Sequence, residues 1–190
     1  MKYNQIIERR TVEIPDKVTI TVESGKKIVV KGKLGTLEKA FPRVSTFLEV
    51  QKDEGKNVLA IWDYFPKRKQ KAMVGTIQGL TNNMITGVQR GYTYKLKIIY
   101  SHFPITVTTA KNGVIITGQY GNREKRFIPI FEGIKASVKG EDVTLEGSDL
   151  EKVSQSAARI QESTKLRGKY SKDPRIFQDG IYIFESGPNS

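Results

Sequence analysis

The feature that most constrains this chain is that it repeats itself. Ile28-Val29-Val30-Lys31-Gly32-Lys33-Leu34-Gly35 lies over Val114-Ile115-Ile116-Thr117-Gly118-Gln119-Tyr120-Gly121 at a constant offset of 86 residues. At the same offset Glu38-Lys39-Ala40-Phe41 lies over Glu124-Lys125-Arg126-Phe127, and Val18-Thr19-Ile20-Thr21 matches Ile105-Thr106-Val107-Thr108 with a shift of one. A chain that carries one plan twice must close two cores. Its 190 residues allow two small domains. The order of hairpin, Gly-x-x-Gly, strand and helix recurs in both halves. Duplication explains that order better than two unrelated α+β domains do.

The local signals agree. Val18-Thr19-Ile20-Thr21-Val22 alternates apolar and polar β-branched residues, the period of a half-buried strand. Ile28–Lys31, Val58–Trp62, Lys95–Ile98, Ile105–Thr108, Gly113–Ile116 and Val143–Glu146 read as further strands. Met73, Ile77, Leu80, Met84 and Val88 recur at helical spacing, between Pro66 and Gly91. Gly75, Gly79 and Gly87 inside that helix imply close packing against a sheet. Leu150, Val153, Ala157 and Ile160 define a second helical face, with Ser148 and Glu151 as a capping-box pair at its start. The expected class is α+β: two tandem duplicated domains, each an antiparallel-rich β-sheet packed against one α-helix. Residues 1–93 form the N-terminal domain and 94–190 the C-terminal domain, which carries a basic C-terminal segment.

Charge addresses partners rather than fold. Thirty-two Lys and Arg against 20 Asp and Glu leave a net +12, and a polyanion is the natural counterpart. No cysteine is present, which excludes disulfides and thiolate metal sites. One histidine, His102, cannot form a histidine metal site, and no Gly-x-Ser-x-Gly, P-loop or acidic metal cluster occurs. The expectation is a protein without enzymatic activity, cofactor or metal. No apolar run suits a signal peptide or a membrane span, so a cytosolic or nuclear protein is expected, with no membrane partner.

Several basic clusters are candidate contacts for RNA. Lys67-Arg68-Lys69-Gln70-Lys71 opens the first helix, where cations oppose the helix dipole. Tyr92, Tyr94, Lys95 and Lys97 interleave rings with cations, a pattern that serves base stacking or, equally, a core. Lys165, Arg167, Lys169, Tyr170, Lys172 and Arg175 crowd a segment with little apolar anchoring, suited to ordering on phosphates. His102 and Arg123 complete the candidate set, though a structural role for His102 is the stronger reading. Gly32-Lys33-Leu34-Gly35 has the form of the Gly-x-x-Gly loop of KH domains. Here it joins two strand-like runs, so it reads as a hairpin turn.

Four motifs resemble a known family. Gly91-Tyr92-Thr93-Tyr94-Lys95 with Tyr100-Ser101-His102-Phe103-Pro104-Ile105, then Leu145-Glu146-Gly147-Ser148-Asp149 with Val153-Ser154-Gln155-Ser156-Ala157-Ala158, stand in the right order. Thr11-Val12-Glu13-Ile14-Pro15 and Asp179-Gly180-Ile181-Tyr182 match the two ends. Together they resemble the ribosomal protein family numbered six in bacterial and nine in eukaryotic large subunits, in a divergent eukaryotic-type form. The resemblance implies a structural constituent of the large (60S) subunit that binds large-subunit rRNA near the sarcin–ricin loop and the stalk base. Neighbouring large-subunit proteins would be partners and translational GTPases would dock nearby. A cytoplasmic ribosome, reached after nucleolar passage, is the implied location. The alternative is a free-standing RNA-binding or assembly module of the same fold. Leu34, Glu38 and Phe127-Ile128-Pro129-Ile130-Phe131 depart from the family where arginines are expected.

Overall fold

A computed structural model describes residues 7–42, 45–53, 56–166, 171, 173 and 175–189. They fall into two compact units, Met1–Arg90 and Gly91–Ser190. Gly91, Tyr92 and Thr93, which the sequence reading places in the first domain, fall in the second unit. Tyr92 opens strand β7 (Tyr92–Ile99), whose partners all lie later in the chain.

In the first unit, β1 (Ile7–Glu13), β6 (Lys56–Tyr64) and β5 (Phe47–Asp53) form an antiparallel sheet in the order β1-β6-β5. A second sheet holds β2 (Thr19–Glu23), β3 (Lys27–Gly32) and β4 (Gly35–Ala40) in chain order. Helix α1 (Arg68–Gln89) packs on β1, β3 and β6. One core joins these layers, with Ile28, Val30, Leu59, Ile61, Val74 and Ile77 almost wholly buried. Each such side chain contributes about 1.5–3 kcal/mol by leaving water.

The buried stripe of α1 is Val74, Ile77, Thr81, Ile85 and Val88, rotated slightly from the expected face. Met73 lies at its edge, 37 % exposed. The inference of close packing at the helix glycines fails at two of the three. A side chain at Gly79 would meet open space, and one at Gly75 only the flexible end of Arg10. The tight approach is at Gly32 instead, where a Cβ would come within 2.6 Å of Val88 Cγ2. Gly32 pairs with Gly35 across a two-residue turn, so Gly32–Gly35 is a hairpin turn, as expected.

The second unit repeats the plan with one more strand. Its larger sheet runs β11 (Lys135–Lys139), β12 (Asp142–Gly147), β7, β13 (Gly180–Pro188), all antiparallel neighbours. The smaller runs β10 (Arg126–Pro129), β9 (Gly113–Thr117), β8 (Thr106–Ala110). Helix α2 (Leu150–Ser163) covers the core with Val153, Ser156, Ala157 and Ile160. Its N-cap is Asp149, whose carboxylate accepts from the Glu151 and Lys152 N–H groups, and not Ser148 as the capping-box pattern suggested. The carboxylate one residue later has the reach to satisfy the helix's free donors.

The equal offset at residues 38–41 is not a structural equivalence. Leu37 faces Val30 in the first unit, with residues 31–36 between them. Arg126 faces Ile116 in the second, with residues 117–125 between them. The second copy therefore carries a longer excursion between these two strands, and it includes a short 3-10 turn, Gln119–Gly121.

Candidate nucleic-acid interface

Strand parity decides the first cluster. Side chains at alternating positions share a face, and Leu96 and Ile98 point into the core. Tyr92 and Tyr94 share their parity. Tyr92 is buried, 5 % exposed, and Tyr94 packs against the core. Of the two roles the sequence left open for Tyr92, stacking or core, its burial fits the core. Lys95 and Lys97 project from the opposite face. There Lys95 Nζ lies 2.8 Å from Glu185 and Lys97 sits opposite Asp142. Each of these cations has an acidic neighbour.

The second cluster is organised by Asp179, whose side chain is fully buried. Its carboxylate accepts from the backbone N–H groups of Ser101, His102 and Phe103 at 2.9–3.1 Å and lies 3.2 Å from His102 Nδ1. Burial opposes the charge, but the Ser101 N–H, the His102 ring and the other two N–H groups outweigh it and hold the carboxyl below the ordinary aspartate range. The loop 100–104 is thereby moulded around one carboxylate. His102 stacks on Phe177 with ring centres 4.8 Å apart, and Phe177 lies 5.8 Å from Tyr120. The structural reading of His102 has these two contacts behind it. They leave its side chain 53 % exposed.

The excursion 118–125 ends on the C-terminus of α2. Tyr120 donates its hydroxyl to the Thr164 carbonyl. Arg126 Nη1 donates to Gln119 Oε1 and to the Ser163 carbonyl, and Gln119 Nε2 also reaches Ser163 O. Free carbonyls at a helix C-terminus carry partial negative charge, so a guanidinium suits that place. Burial pushes the Tyr120 phenol up from its usual value, so it stays a neutral donor. Beside this junction lies a recess of about 410 Å³, with Tyr120, Lys125, Arg126, Lys165 and Leu166 in its wall. A smaller one, about 220 Å³, adjoins Tyr120, Phe177 and Tyr182.

Arg123 and Lys165 both belong to this region and are exposed, Lys165 lying 3.4 Å from Glu162. Arg175 is also exposed, but its guanidinium is held by Asp173 at 2.9 Å. Arg167, Lys169, Tyr170 and Lys172 lie outside the described residues. Tyr120, Lys125, Arg126, Phe177 and Asp179 were missed as site residues. Only Asp179 carried a signal, as part of the motif Asp179-Gly180-Ile181-Tyr182. Among the described residues no group of three or more His, Asp or Glu is placed to hold a metal ion. No helix among them is long and apolar enough to cross a membrane.

This arrangement offers exposed cations beside rings on a rigid frame. The family model for ribosomal protein L6 matches residues 14–91 and again 103–180, one copy in each structural unit. The chain belongs to the ribosomal protein L6 family. Members of that family are structural proteins, not enzymes. The large ribosomal subunit protein uL6 of Aeropyrum pernix is 43 % identical over 180 residues, covering 95 % of this chain and 94 % of that protein. Its namesake in Ignicoccus hospitalis is 40 % identical over 91 % of each chain. That of Sulfurisphaera tokodaii is 42 % identical over 92 % of this chain and 90 % of its own. Two L6 copies per chain account for the internal repeat.

Proposed function

We propose that this L6-family chain is a structural constituent of the large ribosomal subunit and holds large-subunit rRNA with its C-terminal domain. The observation that carries this reading is the docking of the 118–125 excursion on the end of α2, which sets Lys125, Arg126 and Lys165 around one recess and leaves Arg123 exposed on the same excursion. Exposed cations on a fixed frame bind phosphates without first ordering the backbone. The uL6 names of relatives that align along almost the full chain support the ribosomal assignment. Contact near the sarcin–ricin loop and stalk base, adjacency to translational GTPases, the 60S particle and nucleolar passage are the finer parts of the proposal, carried by the motif resemblance.

Co-sedimentation tests the assignment. The chain should remain stoichiometric with large subunits through a high-salt sucrose gradient. Release into the top fractions would favour the free-standing assembly module.

A further inference from the structure

Both clusters above lie in the C-terminal domain, yet the N-terminal domain carries an aromatic surface of its own. The outer face of the β1-β6-β5 sheet, away from α1, shows Phe47 and Trp62 stacked at 5.9 Å, with Tyr64 edge-on to Phe47 at 5.5 Å. Phe47 is 49 % exposed and Tyr64 50 %. Ile7 sits opposite Tyr64 in the register and is also half exposed. The next residue after Tyr64, Phe65, is 73 % exposed and held at φ 49°. Farther along the face the surface turns polar: Arg9 donates to Gln51, and Gln51 to Glu49.

The aromatic end of this face is tied to the start of α1. Ser45 Oγ donates to the buried Asp63, which lies between Trp62 and Tyr64, and Gln70 Nε2 donates to Ser45 Oγ at 3.0 Å. Gln70 Oε1 in turn accepts from the Lys67 N–H at 2.7 Å. Lys67, Arg68, Lys69 and Lys71 stand here exposed, with no acidic residue in the first turn of the helix. Among the described residues none of the four has a carboxylate partner, whereas Lys95, Lys165 and Arg175 each do. Four uncompensated cations at the positive end of a helix raise one another's cost.

We propose that this end of the N-terminal sheet binds an unpaired stretch of RNA, with bases stacking on Phe47, Tyr64 and Phe65 and phosphates seated at Lys67, Arg68 and Lys69. Charge complementarity selects the occupant. An apolar protein partner would cover the rings and leave the cations facing nothing, whereas a nucleotide strand supplies a flat ring and a phosphate at each step. The strand must be unpaired, because a duplex keeps its base faces stacked inside. The proposal goes beyond the C-terminal contact and rests on the ribosomal reading only in that RNA is at hand.

Trp62 is the single tryptophan of the chain, so its emission reports on this surface alone. A single-stranded uridine decamer titrated into the full chain should change that emission saturably, and a self-complementary RNA duplex should not. The Phe47→Ala/Tyr64→Ala variant should weaken decamer binding, followed by anisotropy of a labelled copy, by about tenfold for each ring removed. Lys67→Glu/Arg68→Glu leaves every ring in place and should lower both affinity and salt dependence, with a melting temperature no lower than that of the wild type as the folding control. Replacing Arg123, Lys125 and Lys165 by Ala should leave the emission change intact, which separates this surface from the C-terminal one. No emission change, equal response to duplex, or indifference to both N-terminal variants would overturn the proposal. So would an emission change with protein concentration alone, which would make the patch a protein interface.

Discussion

Asp179 shows what one side chain can organise. Its carboxylate gathers donors from residues 101, 102 and 103, more than seventy positions earlier in the chain. Replacing it by Asn keeps the shape but removes the charge that makes those bonds strong. Asp179→Asn should therefore lower the melting temperature at neutral pH. The folded carboxyl titrates below the ordinary aspartate value of 3.8. Its stabilisation is thus fully present above about that pH and is lost as pH falls through the lower folded value. Melting curves of wild type and variant should run a constant distance apart from pH 7 down to about 4 and converge below it. A gap that instead closed well above pH 4 would mean that the Asp179 charge is not what holds the loop. The motif Asp179-Gly180-Ile181-Tyr182 marks the residue, but nothing local announces this role, because the partners meet only after folding. The inward placement of Tyr92 and Tyr94, by contrast, was legible. Both share the parity of Leu96 and Ile98, and counting by twos along the strand places them inside.

At the level of elements, α2 shows where sequence patterns succeed and where they slip. Its apolar spacing gave Val153, Ala157 and Ile160 correctly, since a buried helical face leaves a periodic trace. The cap was misplaced by one residue, because Ser148 and Asp149 are both competent and only geometry chooses between them. Asp149→Ala should cost about 1 kcal/mol in urea unfolding, and Ser148→Ala should be close to neutral. Equal losses would restore the capping box. Ile160 is fully buried, and Ile160→Ala should cost about 2–5 kcal/mol. Strands β4, β5, β10, β11 and β13 left weaker traces. They lie at sheet edges, and β4 and β11 have no fully buried position to mark them, whereas the edge strands β2 and β8 each bury an apolar residue and were legible. On β13 the edge is closed by α2: Thr164 Oγ1 accepts from the Ile181 N–H and Gln161 Oε1 from the Ile183 N–H. Such closure blunts an edge that would otherwise recruit another strand.

For the whole molecule, the net +12 predicts affinity for polyanions but not where they bind. Replacing Arg123, Lys125 and Lys165 by Ala should reduce the slope of log K against log salt for rRNA-fragment binding. The reduction should be roughly 0.7–0.9 for each phosphate that the variant no longer neutralises, with little change in melting temperature. Parallel lines of equal slope would make that cluster a solvated face. The two-domain plan was legible because duplication writes the same pattern twice. The difference between the copies was not, since a longer excursion leaves flanking residues looking alike at the wrong offset.

The position of β7 in its sheet also sets a timetable. The first unit is complete at Arg90, so it can close as soon as the residues up to that point have been made. Strand β7 comes next, and both of its neighbours in the sheet are made later, β12 from residue 142 and β13 from residue 180. At the usual pace of synthesis the gap to β13 lasts roughly 5–20 s. Throughout that time Leu96 and Ile98 belong to a strand with an unpaired edge. The nascent chain therefore holds one finished domain and one exposed strand at once until β13 has been made.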